Sequence, residues 1–252
     1  MELYPYYRAI QSQFPALLSL KTYLQRTSRQ IRKRPFEVDF ELLARLKVVP
    51  GECALDVGAN RGQSIDAIRL YLPDIEINSF EPSESLADRL RTRAVRDKAL
   101  HVHQFGLSNE ESEFPLFLPV YRGFPYDGLA SFDRSEAESW LGPDTVAWFD
   151  PKRLEIREMI CKTRRLDSFS LNPALLKIDV QGFEAEVLKG GVETLRASKP
   201  LILLENNPKA DEWLMGEGWT RFAYKDGVTH ESEMGEGNTF YVHGALSTRL
   251  TG

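Results

Sequence analysis

A chain of 252 residues with 42% hydrophobic residues can bury a substantial core, either as one large α/β domain or as two small ones. The formal net charge of −5 argues against a protein that coats nucleic acid, because phosphate binding requires clustered Lys and Arg. No nucleic-acid partner is therefore expected.

The cysteines and the apolar runs indicate the cellular compartment in which the protein is expected. Cys53 and Cys161 each lie in a strand-like apolar run, which suits buried thiols in a reducing compartment. No run approaches the roughly 20 apolar residues of a membrane helix, and the N-terminus does not resemble a signal peptide. We expect a cytoplasmic protein without a transmembrane segment.

Residues 1–48 are predicted to form an N-terminal helical extension. Apolar residues crowd one side of the pattern over residues 14–24, and a basic run follows at residues 26–34. The basic run is interpreted as the solvated face of a packing or dimerisation helix, which allows a homodimer through these helices. Contact with an anionic membrane surface or an acidic acceptor is the alternative.

From residue 49 onward, strands and helices alternate. The predicted strands cover residues 53–57, 75–80, 100–107, 114–118, 156–163, 176–178 and 200–205, and helices are predicted at residues 62–72 and 84–93. Two further strands, at residues 220–224 and 239–243, are predicted to form a closing antiparallel hairpin. Such alternation implies a parallel, doubly wound sheet in a single domain over residues 49–252.

Residues 119–151 interrupt this alternation. Their periodicity fades while Gly, Pro, Asp and aromatic residues accumulate. A loop of this length inside a compact domain is usually functional, and its aromatic content favours an ordered segment. We expect an acceptor loop or lid, because flat rings pack on the C–H faces of sugars.

A glycine-bearing turn follows the first strand, at residues 56–62 with the sequence DVGANRG. Glycines allow the backbone to approach a ligand closely, and the next helix offers amide donors at its N-terminus. Glu81 ends the second strand, 25 residues after Asp56, where an acid can accept both hydroxyl hydrogens of a ribose. Together the turn and the acid predict a nucleoside site.

The turn departs from the pattern that dinucleotide-binding dehydrogenases use to hold a pyrophosphate. Position 60 is Asn, and the acid Asp56 immediately precedes the turn. These features better suit a ligand without phosphates, such as S-adenosylmethionine, whose positive sulfonium carboxylates can stabilise.

Four motifs in order give the chain a family resemblance. They are residues 56–62, 80–82 (FEP), 163–167 (TRRLD) and 176–184 (LKIDVQGFE). Over roughly residues 50 to 207 the chain resembles the FkbM family of S-adenosylmethionine-dependent methyltransferases. The resemblance implies a Rossmann-like class I methyltransferase fold of the α/β class, with a seven-stranded, mostly parallel sheet whose last strand is antiparallel. It also implies O-methylation of a sugar, glycolipid, polysaccharide or polyketide hydroxyl.

The resemblance also implies roles for individual residues. It assigns Gly58, Asn60 and Gly62 to the methionine end of the cofactor, with Asp56 beside them, and Glu81 to the ribose. The remaining cofactor contacts that it implies are Leu107 and Ser108, which border the adenine, and Asp179 and Val180, which face the methyl-transfer centre. Gln181 stands where an acid is also common in the family, so a role as base at that position is in doubt.

A base within hydrogen-bond reach assists a hydroxyl as it attacks. Asp179 is the first candidate because it follows a central strand, although an acid there can simply pin the loop. Glu184 and Glu205 are weaker candidates. The alternative role of Glu184 is that of an acid in the first turn of a helix, where the helix dipole favours a negative charge. Among the histidines, His103 is the candidate for a catalytic role that mutation should test, although such a residue more often has a structural role.

Two other interpretations of the pattern stay open. Asp179, Glu205 and Asn206 together can hold Mg²⁺ through oxygen ligands, although paired strand-end acids also occur without a metal, and this interpretation is not favoured. At the level of function, the alternatives to a methyltransferase are an NAD(P)-dependent oxidoreductase and a catalytically inactive binding module of the same fold.

Overall fold

The computed structural model describes residues 34–251, and these divide into two compact units. The first unit contains residues 34–112 and 162–251, and the second contains residues 113–161. Residues 1–33, which hold most of the expected helical extension and its dimerisation surface, lie outside the described residues. Of the extension, the structure describes a 3₁₀ helix at Val38–Arg45 that buries Phe40, Leu42 and Leu43.

A mixed eight-stranded sheet forms the first unit. Its strands are β1 (Cys53–Val57), β2 (Glu76–Phe80), β3 (Leu100–His103), β8 (Pro173–Ile178), β9 (Leu201–Glu205), β10 (Trp219–Lys225), β11 (Val228–Glu231) and β12 (Asn238–His243). They lie in the order β11-β10-β12-β9-β8-β1-β2-β3. The five strands from β9 to β3 are mutually parallel, whereas β12 is antiparallel to both of its neighbours.

Five helices connect these strands. They are α1 (Gln63–Tyr71), α2 (Glu84–Ala94), α4 (Glu184–Lys189), α5 (Val192–Ser198) and α6 (Pro208–Gly216), with α3 lying in the second unit. Helix α6 has a common helix start, because Pro208 occupies the first turn and the Asn207 side chain accepts hydrogen bonds from the backbone N–H groups of residues 209 and 210. Ser83 occupies the N-cap position of α2 without making a capping hydrogen bond.

The burial of the strands explains their sequences. Every residue of β1 and β8 is buried, as expected for central parallel strands covered on both faces. One face packs on α1 and on the 3₁₀ helix, with Ala54, Ile77 and Leu175 among its residues. The other face packs on α4, α5 and α6, with Leu55, Leu176 and Ile202 among its residues.

The expectation of seven strands is wrong in count. The sheet gains β11, a short edge strand that pairs antiparallel with β10 over residues 228–231. The predicted C-terminal pair does form, since β10 and β12 are antiparallel neighbours, but the chain between them makes β11 before it returns. The predicted strand at residues 100–107 is also two strands, β3 and β4 (Gly106–Leu107), because β4 leaves the sheet and pairs with residues 163 and 164.

The second unit has its own small core. It contains most of β5 (Ser112–Tyr121), β6 (Phe124–Pro125), α3 (Arg134–Ser139) and most of β7 (Leu154–Arg164). Tyr121, Phe124 and Tyr126 are buried together with Leu141 and Val146. The aromatic segment at residues 119–151 is therefore ordered around several of its own rings, while Trp140 and Trp148 stay exposed.

Among residues 34–251, no helix is both long enough and apolar enough to cross a membrane.

Candidate active site

The turn after β1 lies directly against the end of β8. Gly58 has a φ of +77°, and a Cβ at this position would lie 1.8 Å from the backbone oxygen of Asp179. The backbone N–H of Asp179 donates to the Val57 carbonyl at 3.1 Å. A glycine is required here because the left-handed backbone and the close approach both exclude a side chain.

Glu81 joins the glycine turn to the end of β2. Its carboxylate is buried, and it accepts hydrogen bonds from the backbone N–H of Asn60 at 2.8 Å and of Ser83 at 2.9 Å. The Asn60 backbone is itself left-handed, with a φ of +48°. These bonds tie the Glu81 carboxylate to the turn and to the segment that leads into α2. The structure thus brings the predicted ribose acid next to the predicted turn.

Gly62 serves helix packing. It has a φ of +80° and precedes α1, and a Cβ there would lie 2.2 Å from Nη1 of Arg93. Arg93 donates to the Gly62 carbonyl at 2.9 Å and to the Asp66 carboxylate at 2.6 Å. This contact between α1 and α2 explains the glycine, and a role for Gly62 at the cofactor stays a prediction.

A buried ion pair lies beneath the turn. Asp56 is fully buried and pairs in register with Lys177 of β8. Lys177 Nζ lies 3.5 Å from Oδ1 of Asp56, while Oδ2 accepts from the Ser64 hydroxyl at 2.7 Å. Burial lowers the pKa of Lys177, but the negative charges of Asp56 and Asp179 outweigh it, so the net pKa lies above its ordinary value. The lysine is therefore charged at neutral pH.

Two carboxyl groups face each other where β8 and β9 end. Asp179 has a side chain that is 44% exposed, and its Oδ2 lies 3.5 Å from Lys177 Nζ. The Gln181 amide donates to Oδ1 of Asp179 at 3.2 Å and to Oε2 of Glu205 at 3.0 Å. Burial raises the pKa of Glu205 to about 7, with further contributions from the charge of Asp179 and a hydrogen bond to it. Glu205 is therefore partly protonated near neutral pH.

Glu184, the second candidate base, is buried and occupied by structural hydrogen bonds. Its Oε1 accepts from the backbone N–H of Val180 at 3.2 Å and of Gly182 at 3.1 Å, and its Oε2 accepts from Asn207 at 2.6 Å. These contacts fix the loop after Asp179. The geometry favours the alternative to catalysis, in which Glu184 positions the loop that carries Val180.

Asn206, one of the three predicted Mg²⁺ ligands, is engaged in hydrogen bonds within the fold. The Oδ1 of Asn206 accepts from Thr239 at 2.6 Å, and its amide donates to the Gly235 carbonyl at 2.9 Å. Asn206 therefore anchors the loop that leads into β12. Over residues 34–251, no group of three or more His, Cys, Asp or Glu side chains is arranged to hold a metal ion.

His103 packs in an aromatic cluster. Its ring stacks on Phe80 with centroids 4.7 Å apart, and Phe105 and Phe169 lie within 5.8 Å of it. Its Nε2 lies 2.9 Å from Oδ1 of Asn78. Burial lowers the pKa of His103, with smaller contributions from nearby positive groups, so the ring is neutral at pH 7. These contacts suit a structural histidine.

Leu107 and Ser108 lie at the junction of β4 with β7. Leu107 is buried in the core of the first unit, and the Ser108 backbone N–H donates to the Arg164 carbonyl at 2.9 Å. A Cβ on Gly190 would lie 2.0 Å from the Ser108 carbonyl oxygen, so α4 ends tightly against this segment. Their expected position at the adenine stays a prediction.

Three polar residues near this edge were not predicted from the sequence, namely Asn238, Glu37 and Asp39. Asn238, opposite Glu205 in the sheet, donates to Glu37 and to Asp39, both at 3.0 Å. Burial raises the pKa of Glu37, and the charges of Asp39 and Asp179 raise it further. Residues before β1 and at the start of β12 thus extend the acidic edge, and no motif in the sequence marked them.

Comparison with known families identifies the chain. The model of the Methyltransferase FkbM domain matches residues 56–227. The chain therefore belongs to the FkbM methyltransferase family, as the four motifs predicted. The family supports methyltransferase activity.

Individual relatives are more distant. The chain is 28% identical over 184 residues to AMB antimetabolite synthetase AmbE from Pseudomonas aeruginosa, a match that covers 64% of this chain but 9% of that protein. A methyltransferase FkbM from Methylobacillus flagellatus KT is 13% identical with a TM-score of 0.49, covering 78% of this chain and 44% of that one. A precorrin-6y C5,15-methyltransferase from Geobacter metallireducens GS-15 is 14% identical with a TM-score of 0.41, covering 81% of this chain and 84% of that one.

Proposed function

We propose that the protein is an S-adenosylmethionine-dependent O-methyltransferase whose acceptor is a hydroxyl of a sugar, glycolipid, polysaccharide or polyketide-type molecule. The observation that supports this most is the meeting of three strand ends at one edge. Asn60 of the glycine turn donates to Glu81, and Gly58 packs against the backbone of Asp179. In open α/β sheets, ligands bind at such carboxyl ends.

The side chains at this edge suit a positively charged cofactor. Asp179 and Glu205 are carboxyl groups that Gln181 bridges, and Glu81 holds a carboxylate beside the turn. A ribose has two neighbouring hydroxyl donors, which an acid at the end of the second strand can accept. We therefore assign the ribose to Glu81 and the amino-acid end to the backbone around Gly58 and Asn60.

When bound, S-adenosylmethionine supplies an electrophilic methyl group on a sulfonium that leaves as a neutral thioether. Asp179 is the proposed base, because its side chain is partly exposed and its oxygens are oriented by Gln181 and Lys177. Its carboxylate accepts the hydroxyl proton as the acceptor oxygen bonds to the methyl carbon. Glu205, with its pKa of about 7, then shares that proton through the carboxyl pair. Alignment and exclusion of water provide the rest of the acceleration.

The acceptor class rests on the exposed rings of residues 119–151. Trp148 is 72% exposed and Trp140 is 39% exposed, and such rings pack on sugar C–H faces. If this segment binds the acceptor, W148A raises the acceptor KM while the affinity for S-adenosylhomocysteine stays unchanged. Equal acceptor KM values in the variant and the wild type would count against this assignment.

Titration calorimetry with S-adenosylhomocysteine tests the cofactor. We expect binding by the wild-type protein and a loss of about 10- to 100-fold in E81A, the equivalent of losing hydrogen bonds to a charged group. E193A is the matched control, because the side chain of Glu193 is 77% exposed, and its affinity should not change. Absence of binding by the wild type would refute the proposal, and a rise in melting temperature with NAD(H) instead would favour an oxidoreductase.

A transfer assay with methyl-labelled S-adenosylmethionine tests the reaction. Sugars, glycolipids and polyketides are screened as acceptors, and the position of the label in the product distinguishes a methyl ether from a methylamine. Transfer to nitrogen or carbon alone would overturn the assignment of an O-methyltransferase.

A further inference from the structure

Lys177 is a buried lysine at the centre of the sheet. It lies between Leu176 and Ile178 in β8, where both neighbours face apolar core, and only 7% of its surface is exposed. Residues i and i+2 of a strand point to the same face, so Lys177 and Asp179 share a side of the sheet. A buried ammonium requires partners for its donors, which makes its contacts informative.

The ammonium of Lys177 contacts three segments at once. It donates to the Gly58 carbonyl at 3.0 Å, and it lies 3.5 Å from both Oδ1 of Asp56 and Oδ2 of Asp179. These acceptors belong to the glycine turn, to β1 and to the residue after β8. One side chain thus joins the two turns that flank the proposed site.

The bond to Gly58 completes the fixation of the turn. In the peptide between Gly58 and Ala59, the carbonyl accepts a hydrogen bond from Lys177, and the N–H donates to the Phe80 carbonyl at 3.3 Å. The N–H of Gly58 donates to the same carbonyl at 3.0 Å, and the next N–H, of Asn60, donates to Glu81. Without Lys177 the carbonyl of this peptide loses that bond, and the peptide is held only through its N–H, by the long bond to Phe80.

We infer that Lys177 is a positioning residue that holds the Gly58 peptide in the orientation needed to bind the amino-acid end of the cofactor. The inference rests on the proposed function, since it assigns the turn to that part of S-adenosylmethionine. A preorganised backbone binds more tightly because less conformational freedom is lost on association. The adenosine portion, which Glu81 serves, does not depend on this peptide.

The alternative is that Lys177 only neutralises the buried charge of Asp56. K177M alone leaves that carboxylate without a counter-charge and is expected to unfold readily. The informative comparison is therefore between D56N/K177M and D56N. The neutral amide that D56N introduces needs no counter-charge, and any direct effect of the change at position 56 is present in both variants. K177R, which keeps the charge, is the conservative variant.

Two ligands separate positioning from general damage. S-adenosylhomocysteine carries the amino-acid end, whereas 5′-methylthioadenosine lacks it. We expect D56N/K177M to bind S-adenosylhomocysteine about tenfold or more weakly than D56N, and to bind 5′-methylthioadenosine within about twofold. D56N/K177R should recover part of the affinity for S-adenosylhomocysteine that D56N/K177M loses, and circular dichroism confirms that each variant is folded.

Equal weakening of both ligands, or of neither, would overturn the inference about Lys177 while leaving the proposed function in place. If D56N/K177M does not fold, K177R measured against the wild type carries the same comparison, because its larger head cannot reproduce all three contacts. A wild-type protein that binds neither ligand would refute the proposed function and, with it, this inference.

Discussion

Gly58→Ala tests the close contact between the two turns. The substitution places a methyl group where the Asp179 carbonyl oxygen lies 1.8 Å away, and real Cβ contacts essentially never fall below 3.0 Å. The strand end or the turn must therefore move by roughly 1 Å. The atom in the way belongs to the backbone, so no side-chain rotation relieves the overlap.

The expected cost has two parts. The left-handed backbone at a φ of +77° costs an alanine about 1–2 kcal/mol. Forcing an extra carbon into a packed site typically costs about 1–3 kcal/mol more. We expect G58A to lower the free energy of unfolding by about 2–5 kcal/mol, a large fraction of the roughly 5–15 kcal/mol of a typical domain.

Gly51→Ala is the matched control. Gly51 has a φ of +88°, but a Cβ added there would have no atom within 4 Å, so this variant bears only the backbone cost. Urea denaturation of both variants isolates the contact as the difference between them, which we expect to be about 1–3 kcal/mol. Calorimetry should show S-adenosylhomocysteine affinity reduced in G58A and retained in G51A. Equal stability of the two variants would refute the reasoning.

Three further predictions concern individual side chains. The pKa of Glu205 is about 7 in the folded protein against 4.5 ordinarily, so the free energy of unfolding decreases as the pH rises from about 4.5 to 7. E205Q should remove this decrease, and in urea denaturation at pH 8 it should be about 1 kcal/mol more stable than the wild type. E184Q should cost about 2–3 kcal/mol in the same assay because it disturbs three hydrogen bonds of a buried carboxylate, while E193Q should cost almost nothing. H103F keeps the stack on Phe80 and loses the bond to Asn78, so we expect about 1 kcal/mol of destabilisation and a transfer rate within about threefold of wild type; a hundredfold lower rate would instead assign His103 to catalysis.

The central strands were predictable because strands that are buried on both faces are rich in apolar residues. Residues 53–57 form a strand with the predicted bounds, and the strand predicted at residues 200–205 begins at residue 201, since short runs rich in apolar residues are typical of parallel strands buried on both faces. The antiparallel pairing of β10 with β12 also follows the prediction. The edge strand β11 was missed because its sequence, VTHE, has little apolar content and pairs on one side only.

The site was only partly predictable, because strand-end positions indicate proximity but not hydrogen-bond partners. The sequence placed Glu81 beside the glycine turn, and the bond from Asn60 agrees with that expectation. It did not indicate that Glu184 is occupied by three donors, since two of them are backbone groups of its own loop. Lys177 was overlooked for a different reason: a lysine is ordinarily solvated, and only the structure shows that this one is buried beside Asp56.

The position of β12 bears on how the protein can be shortened. The family match ends at residue 227, yet β12 comprises residues 238–243 and lies between β9 and β10. A fragment cut at the end of the match would lose an interior strand, so β9 and β10 would each present an unpaired edge where aggregation begins. The smallest fragment that can be expected to fold therefore extends beyond the region by which the family is recognised, at least through His243.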